Sequence, residues 1–334
     1  MAEIVLGMAL SHGPMLSTPP DDWGLRVAAD RQNRHPYRGQ TLSFDELVRE
    51  RQSEHLDKQI TRAVWHRRHT ECRQAIDTLA RVFEAAKPDV AVIFGNDQHE
   101  IFADDNSPAI SVFWGQTIVN NEFDMDHIAN LPPGVAIAIP GHIPPGGGCY
   151  PGAPDLGRHI IESAMADEFD IASLTRMSGD HTPHAFGFIF RQVMHDKVIP
   201  TVPVMLNTFF PPNQPSVHRC YALGQSVVKA IRSWKSDARV ALFASGGLSH
   251  FVIDEQIDRA MLDALRSRDL TKVAALDEAT FQSGTSELKN WIALAGAMAQ
   301  CELTYNEIAY VPCYRSEAGT GTANAFATWT PPAR

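Results

Sequence analysis

Val90-Ala91-Val92-Ile93-Phe94, entered through Pro88-Asp89 and left through Gly95-Asn96-Asp97-Gln98-His99, is the stretch on which the fold turns. An apolar run this short, with no polar alternation and with turn-forming residues on both sides, reads as a buried strand; a helix needs a longer periodic run. The same pattern occurs twice more. Ile4–Leu10 runs into Ser11-His12-Gly13-Pro14, and Val240–Ala244 runs into Ser245-Gly246-Gly247-Leu248-Ser249-His250. Ile171–Met177 and Val198–Leu206 read as further strands.

Working outward, the segments between these runs are helical in pattern. They are Phe44–His69, Thr70–Ala86, Asp155–Ala166, Ala222–Trp234, Asp254–Ser267, Leu270–Ala279 and Ser286–Gln300. Short buried strands alternating with helices predict an α/β fold, with a central and mainly parallel sheet flanked by helices. No repeat and no linker divides the chain, so residues 1–334 are expected to form a single domain. Residues 21–87 are charged and mostly helical in pattern and read as an insertion near the N-terminus. Leu131–Gly157, which holds Pro144-Pro145-Gly146-Gly147-Gly148, reads mostly as loop.

The 334 residues are 44% hydrophobic and 20% charged, which suits a globular chain with a sizeable core. A net charge of −10 argues against a general nucleic-acid binder, which needs a basic face to displace counterions. No apolar run is long enough for a membrane span, and the N-terminus lacks the basic start of a signal peptide. The five cysteines are widely spaced with no C-x-x-C, as in a reducing compartment. The expected location is cytoplasmic.

His12, His99 and His250 each follow a separate apolar strand. In an open α/β sheet, ligands bind outside the carboxyl ends of the strands. If the strands are parallel, three such histidines can meet in one cleft, although a lone strand-end histidine is more often structural. Two imidazoles and one carboxylate, with positions left open, suit a non-haem Fe(II) oxygenase. Glu287 is one candidate carboxylate. Thr285-Ser286 read as an N-cap, which places Glu287 in the first helical turn, where it could equally serve only the helix dipole.

The chain resembles the class III extradiol dioxygenases, the superfamily of the protocatechuate 4,5-dioxygenase catalytic subunit. The resemblance rests on Ser11-His12-Gly13-Pro14, Asn96-Asp97-Gln98-His99, Gly152-Ala153-Pro154-Asp155-Leu156 and Asp180-His181. It continues through Arg219-Cys220-Tyr221-Ala222-Leu223-Gly224 and Gly246-Gly247-Leu248-Ser249-His250 to Glu287-Leu288 and Trp291. It implies that His12, His99 and Glu287 hold Fe(II), that His250 is the acid–base histidine, and that His181 is a second histidine of the pocket. Where the family has N-D-H, this chain has Gln98 between Asp97 and His99. The implied reaction opens the ring of a catechol with both atoms of O2. The family's substrates are carboxylated and lignin-derived: protocatechuate, gallate, methylgallate and biphenyl catechols. A homodimer is expected from family habit and from the general frequency of twofold oligomers. In the protocatechuate enzyme a separate small helical subunit helps to cover the site, and residues 21–87 could take that part here.

Thr322, in Gly319-Thr320-Gly321-Thr322-Ala323-Asn324, is a candidate substrate contact. A phosphate cradle is a poor reading of this loop, since it follows no clear strand and opens no clear helix. Arg26, Arg31, Arg34, Arg38, Lys58, Arg62, Arg67 and Arg68 could meet a substrate carboxylate, though a solvated helix face explains most of them. His66, His69 and Cys72 have helical spacing but lack the fourth ligand that a structural zinc site needs. His184 reads as a supporting residue, and Phe186, Phe188 and Phe190 as a core wall or strand. Two other functions remain open: a Zn-dependent hydrolase or lyase on the same ligands, and a binding protein that has lost catalysis.

Overall fold

The apolar runs lie side by side in the computed structural model, which describes residues 1–131 and 134–332. Nine strands form one sheet: β1 (Glu3–Leu10), β2 (Val90–Gly95), β3 (Ile110–Phe113), β4 (Ala172–Leu174), β5 (Thr201–Leu206), β6 (Arg239–Ser245), β7 (His250–Val252), β8 (Thr304–Tyr314) and β9 (Thr320–Thr330). At its centre β1, β6, β2 and β5 are neighbours and all parallel. Strands buried on both faces need apolar residues throughout, which is why these runs lack alternation. Val90, Val92 and Phe94 enter one core, and Ala91 and Ile93 enter the other.

Helices cover both faces. Helices α2 (Pro154–Ala166), α4 (Val217–Ser233), α5 (Glu255–Ser267) and α6 (Leu288–Met298) pack on the first core. Helices α1 (Arg62–Ala86) and α3 (His184–Gln192) pack on the second. Every residue of α6 is buried. It lies close against α4 because Gly224 faces Ala293 and Gly296 faces Tyr221; a Cβ at Gly224 would fall 1.8 Å from the Ala293 carbonyl oxygen. No described helix is long and apolar enough to cross a membrane.

Several local expectations change. Phe44–His69 is not one helix. Phe44–Glu50 is stopped after two turns, and a new helix, α1, starts at Arg62 behind a Thr61 cap. Residues 34–43, between Arg34 and Ser43, form a small hairpin. The insertion therefore divides: α1 belongs to the sheet's own helical layer, and residues 21–61 form short helices and the hairpin, with Trp23 entering the second core and Leu56 the first. Leu270–Ala279 is helical only at Thr271–Ala274, apart from a 3-10 turn begun at Glu278. Phe186, Phe188 and Phe190 lie on α3, not on a strand, and all are buried because that helix is enclosed on every side. Gly319–Asn324 does follow a strand, since it covers the turn and first residues of the β8–β9 hairpin.

Candidate metal centre

Strand β9 sets the distances in the site. One of its edges pairs with β8 along its length; the other pairs with β7 at Thr320–Thr322 and with β1 at Phe326–Trp329. His250 sits opposite Thr322, and Leu10 opposite Phe326. Four residues of extended chain, roughly 13 Å, thus separate the ends of β7 and β1. The Ser11 amide donates to the Ala325 carbonyl at 3.1 Å, which carries His12 toward His250. Between them lies Glu287. Its Oε2 is 3.4 Å from His12 Nε2 and 3.6 Å from His250 Nε2.

Glu287 is buried and stands immediately before α6. Its carboxylate accepts hydrogen bonds from the Gly247 amide (2.8 Å), Gln98 Nε2 (2.9 Å) and Asn96 Nδ2 (3.2 Å). None of these donors belongs to its own helix, so the group is turned toward the strand ends. Burial opposes its ionisation, and protonation of His12 or His250 would draw its carboxyl well below the ordinary glutamate value. Asn290, one turn along α6, donates to Asn96 Oδ1 and to the Ser245 carbonyl. That ties the helix to the ends of β2 and β6.

His12 can be assigned a tautomer. Ser245 Oγ donates its proton to the Ala185 carbonyl, so it must accept from His12 Nδ1, 2.8 Å away. His12 Nε2 then carries a lone pair. It is buried, has no hydrogen-bond partner among the described residues, and faces a carboxylate oxygen. Burial holds this imidazole below its ordinary pKa and so keeps it neutral. Two acceptors confronting each other in a buried space repel, and a cation between them removes the conflict.

The third member of the cluster is His184, whose ring meets that of His12 edge-on at 4.6 Å between centroids. Donor atoms of His12, His184 and Glu287 all lie within 4.8 Å of one another; among the described residues this is the grouping with metal-holding geometry. His184 Nδ1 is 2.9 Å from Glu100 Oε2, and its backbone amide donates to Glu100 Oε1 at 2.8 Å. With Nδ1 donating to Glu100, Nε2 is the atom left for a metal. A carboxylate behind a ligating histidine fixes its ring and raises its basicity. Burial of His184 favours the neutral form, but Glu100 reverses this and lifts the group to about 9. Two imidazoles and one carboxylate with open positions fit a divalent metal.

His99 is not in this cluster. It adopts a left-handed backbone (φ 61°), stacks on Phe210 at 3.5 Å between centroids, and places Nε2 3.4 Å from Asp104. Gln98 takes the inward position and reaches Glu287, and the next residue, His99, lies on Phe210 instead. His184, expected to be supporting, is the histidine beside His12 instead. Its sequence signal was weak: it lies three residues after His181 at a helix start, and its partner Glu100 is far away in sequence.

His250 is buried and its Nδ1 donates to the Leu248 carbonyl at 2.7 Å, so in the neutral ring the Nε2 lone pair lies 3.6 Å from Glu287 Oε2. His181 stands at the rim, with Nδ1 on the Asn121 carbonyl (3.0 Å) and its ring against Phe123. Thr322 is buried and its side chain packs close to Gly13 and Gly247, whose added Cβ atoms would come within 3.3 Å and 3.2 Å of it. His12, His99, His181, His184, His250, Glu287 and Thr322 line one cavity of about 560 Å³. On the surface, His66 and Arg62 both bind Asp21, which accounts for the first member of the His66/His69/Cys72 pattern.

A gallate dioxygenase of Pseudomonas putida is 31% identical over 185 residues, which is 52% of this chain and 52% of that protein. The chain thus spans about half the length of the curated relative it matches. An uncharacterized protein, JW3007 from Escherichia coli K12, has a solved structure similar at a TM-score of 0.46 and 12% identity, covering 75% of this chain and 91% of that one. Residues 66–326, from α1 to the last strand of the sheet, match the family described as the catalytic LigB subunit of aromatic ring-opening dioxygenase. His184, His250 and Glu287 fall inside that match, His12 precedes it, and the chain belongs to this family.

Proposed function

We propose that the chain is an Fe(II)-dependent extradiol dioxygenase that opens the ring of a carboxylated catechol, both atoms of O2 entering the product. The observation that carries this reading is the unpartnered His12 Nε2 facing Glu287 beside His184, at the wall of a cavity, in a chain of the ring-opening family. Fe(II) held by His12, His184 and Glu287 supplies open positions and the one-electron chemistry that O2 needs to react with a closed-shell ring.

The chain's own residues do the remaining work. His250 Nε2, with its lone pair toward the cavity and Nδ1–H anchored on Leu248, takes a proton from a ring hydroxyl. A positioned base of this kind contributes ~10²–10⁴-fold. The imidazolium so formed is stabilised by Glu287 Oε2, 3.6 Å away. His181, whose Nδ1 is anchored on Asn121, is the second proton carrier at the rim. The Thr322 hydroxyl contacts the substrate from the β9 side. Phe123, Leu131, Val135, Ile139 and Phe188 form the apolar wall that holds the ring and excludes water.

Residues 21–61 act as a cover. They are fixed to the β8–β9 turn by the buried pair Asp30–Arg315 (2.7 and 2.8 Å) and to the start of α5 by Arg38–Asp254 (2.6 and 2.8 Å). Deleting them is expected to weaken substrate binding; intact affinity and turnover would remove the cover from the scheme.

The test is anaerobic loading with Fe(II), then O2-electrode assays on a panel of catecholic acids, with Zn-loaded protein in parallel. One O2 consumed per catechol is the expected result. No O2 uptake with any of them, together with hydrolysis or lysis by the Zn form, would sink the dioxygenase reading.

A further inference from the structure

Two arginines, Arg26 and Arg315, line the cavity, and Asp30 binds Arg315. Arg315 is buried and gives both arms to Asp30, Nε to Oδ2 at 2.7 Å and Nη2 to Oδ1 at 2.8 Å. Thr320 Oγ1 also donates to Asp30 Oδ2, at 2.7 Å. Asp30 is therefore fully engaged. Arg26, from the same segment, lines the cavity that holds His12 and His250, and its buried Nε has no hydrogen-bond partner among the described residues. Burial, and then repulsion from Arg315, lower its pKa to about 10 against the attraction of Asp30. The other carboxylates of the cavity, Glu100 and Glu287, are held by His184 and by Gln98, Asn96 and Gly247.

A half-buried cation whose buried Nε lacks an acceptor, at the wall of a largely apolar cavity, calls for an anion there. The guanidinium fork matches a planar carboxylate best. We infer that Arg26 is the specificity residue for the substrate's carboxylate, with the Asp30–Arg315 pair holding the segment that carries it in place. Arg26 lies before the residues that match the ring-opening family, so this recognition is supplied by the cover and not by the matched part of the chain. The other basic candidates are placed differently: Arg31, Arg34, Arg38, Lys58, Arg62 and Arg67 are exposed, and Arg68 is tied to Gln59; the buried Arg51 of the same segment is tied to Glu54.

The inference rests on the catechol reading above, and its test separates the two. The full chain, metal-free and Fe(II)-loaded, is titrated with benzoate, which has the carboxylate but no ring hydroxyls. The loaded form is then assayed with 3,4-dihydroxybenzoate and with uncharged 4-methylcatechol. The wild type is expected to bind benzoate and to favour the acid over the uncharged catechol in kcat/KM. In Arg26→Met that preference should shrink about 10- to 100-fold, the range for a charge-assisted hydrogen bond, and benzoate binding should be lost. Arg26→Lys should retain part of both. A wild type without preference, or an Arg26→Met protein with unchanged preference and benzoate binding, overturns the assignment. Arg26-dependent benzoate binding without any O2 uptake supports the anion site and rejects the ring-opening reading.

Discussion

His12 and His99 both follow a parallel strand within a few residues, yet only His12 reaches the cluster. The end of β1 is tied on both sides: Gly246 N donates to the Leu10 carbonyl, Ser11 N to Ala325 O, and Ala325 N to Ser11 Oγ. The next side chain has one direction available. The end of β2 is free of such pairing and folds around Asp97 instead. That carboxylate collects the amides of Glu100 (3.1 Å), Ile101 (3.0 Å) and Phe102 (3.2 Å). The tight turn sends Gln98 inward, His99 outward and Glu100 inward again. Strand pairing fixes direction; in a capped turn, one added residue reverses it.

The largest effect that could break this comparison is on metal retention. His184→Ala should lower Fe(II) affinity by more than about 100-fold, beyond the usual cost of losing a supporting partner. His99→Ala should stay within about threefold of the wild type, since its ring sits on Phe210. Anaerobic Fe(II) titration of both variants decides it. If His99→Ala sheds the metal and His184→Ala keeps it, the turn has been misread.

A second test leaves the metal in place. Gly284 lies against His250, and a Cβ there would sit 2.1 Å from Cδ2 and 2.5 Å from Nε2 of the ring. Gly284→Ala must push the imidazole aside. Turnover should fall by roughly 10²-fold, within the usual contribution of a positioned base, with iron content retained. Turnover near that of the wild type would mean that His250 has room to move or plays no part.

On the loop side, Glu100 orients His184 from behind. Glu100→Gln keeps the shape and one acceptor but removes the charge. Fe(II) affinity should drop about 10- to 100-fold. No change would show that the His184 ring is held by packing alone.

The same contrast explains what could be read from the chain. The central parallel strands were legible because burial on both faces leaves an unbroken apolar run, as in Val90–Phe94. The C-terminal hairpin was not. β9 is filled with Thr, Gly, Ala and Asn, and it is buried because β1, β7 and β8 surround it, which composition does not announce. His12, Glu287 and His250 were found as candidates, and the resemblance supplied the roles. His184 was missed because its partners, Glu100 and the His12 ring, are distant in sequence. His99 was misplaced because the consequence of Gln98 depends on the Asp97 cap, a set of backbone bonds that residue types do not reveal.

The smallest expected effect concerns how firmly the strand-borne half is held. Asp258, fully buried on α5, accepts from the Ser249 amide and hydroxyl, both at 2.7 Å, and from Tyr310 at 2.8 Å. It thereby clamps the residue just before His250. Burial raises its pKa from 3.8 to about 7 despite these donors. Between those values the folded chain holds a proton that the unfolded chain has released, so stability falls as pH rises through that window and levels off above about 7. The slope from this one group is at most ~1.4 kcal/mol per pH unit. Asp258→Asn keeps an acceptor for the Ser249 amide and cannot ionise, and the serine and tyrosine hydroxyls can rotate to meet its NH2. Urea midpoints at pH 5, 6, 7 and 8 for both proteins isolate the term, because the histidines titrating in this range are common to both. The wild type should lose stability relative to Asp258→Asn from pH 5 to 7 and run parallel to it above. Parallel curves throughout would mean that Asp258 is ionised across the range, and that the clamp on Ser249 holds a full charge in the core.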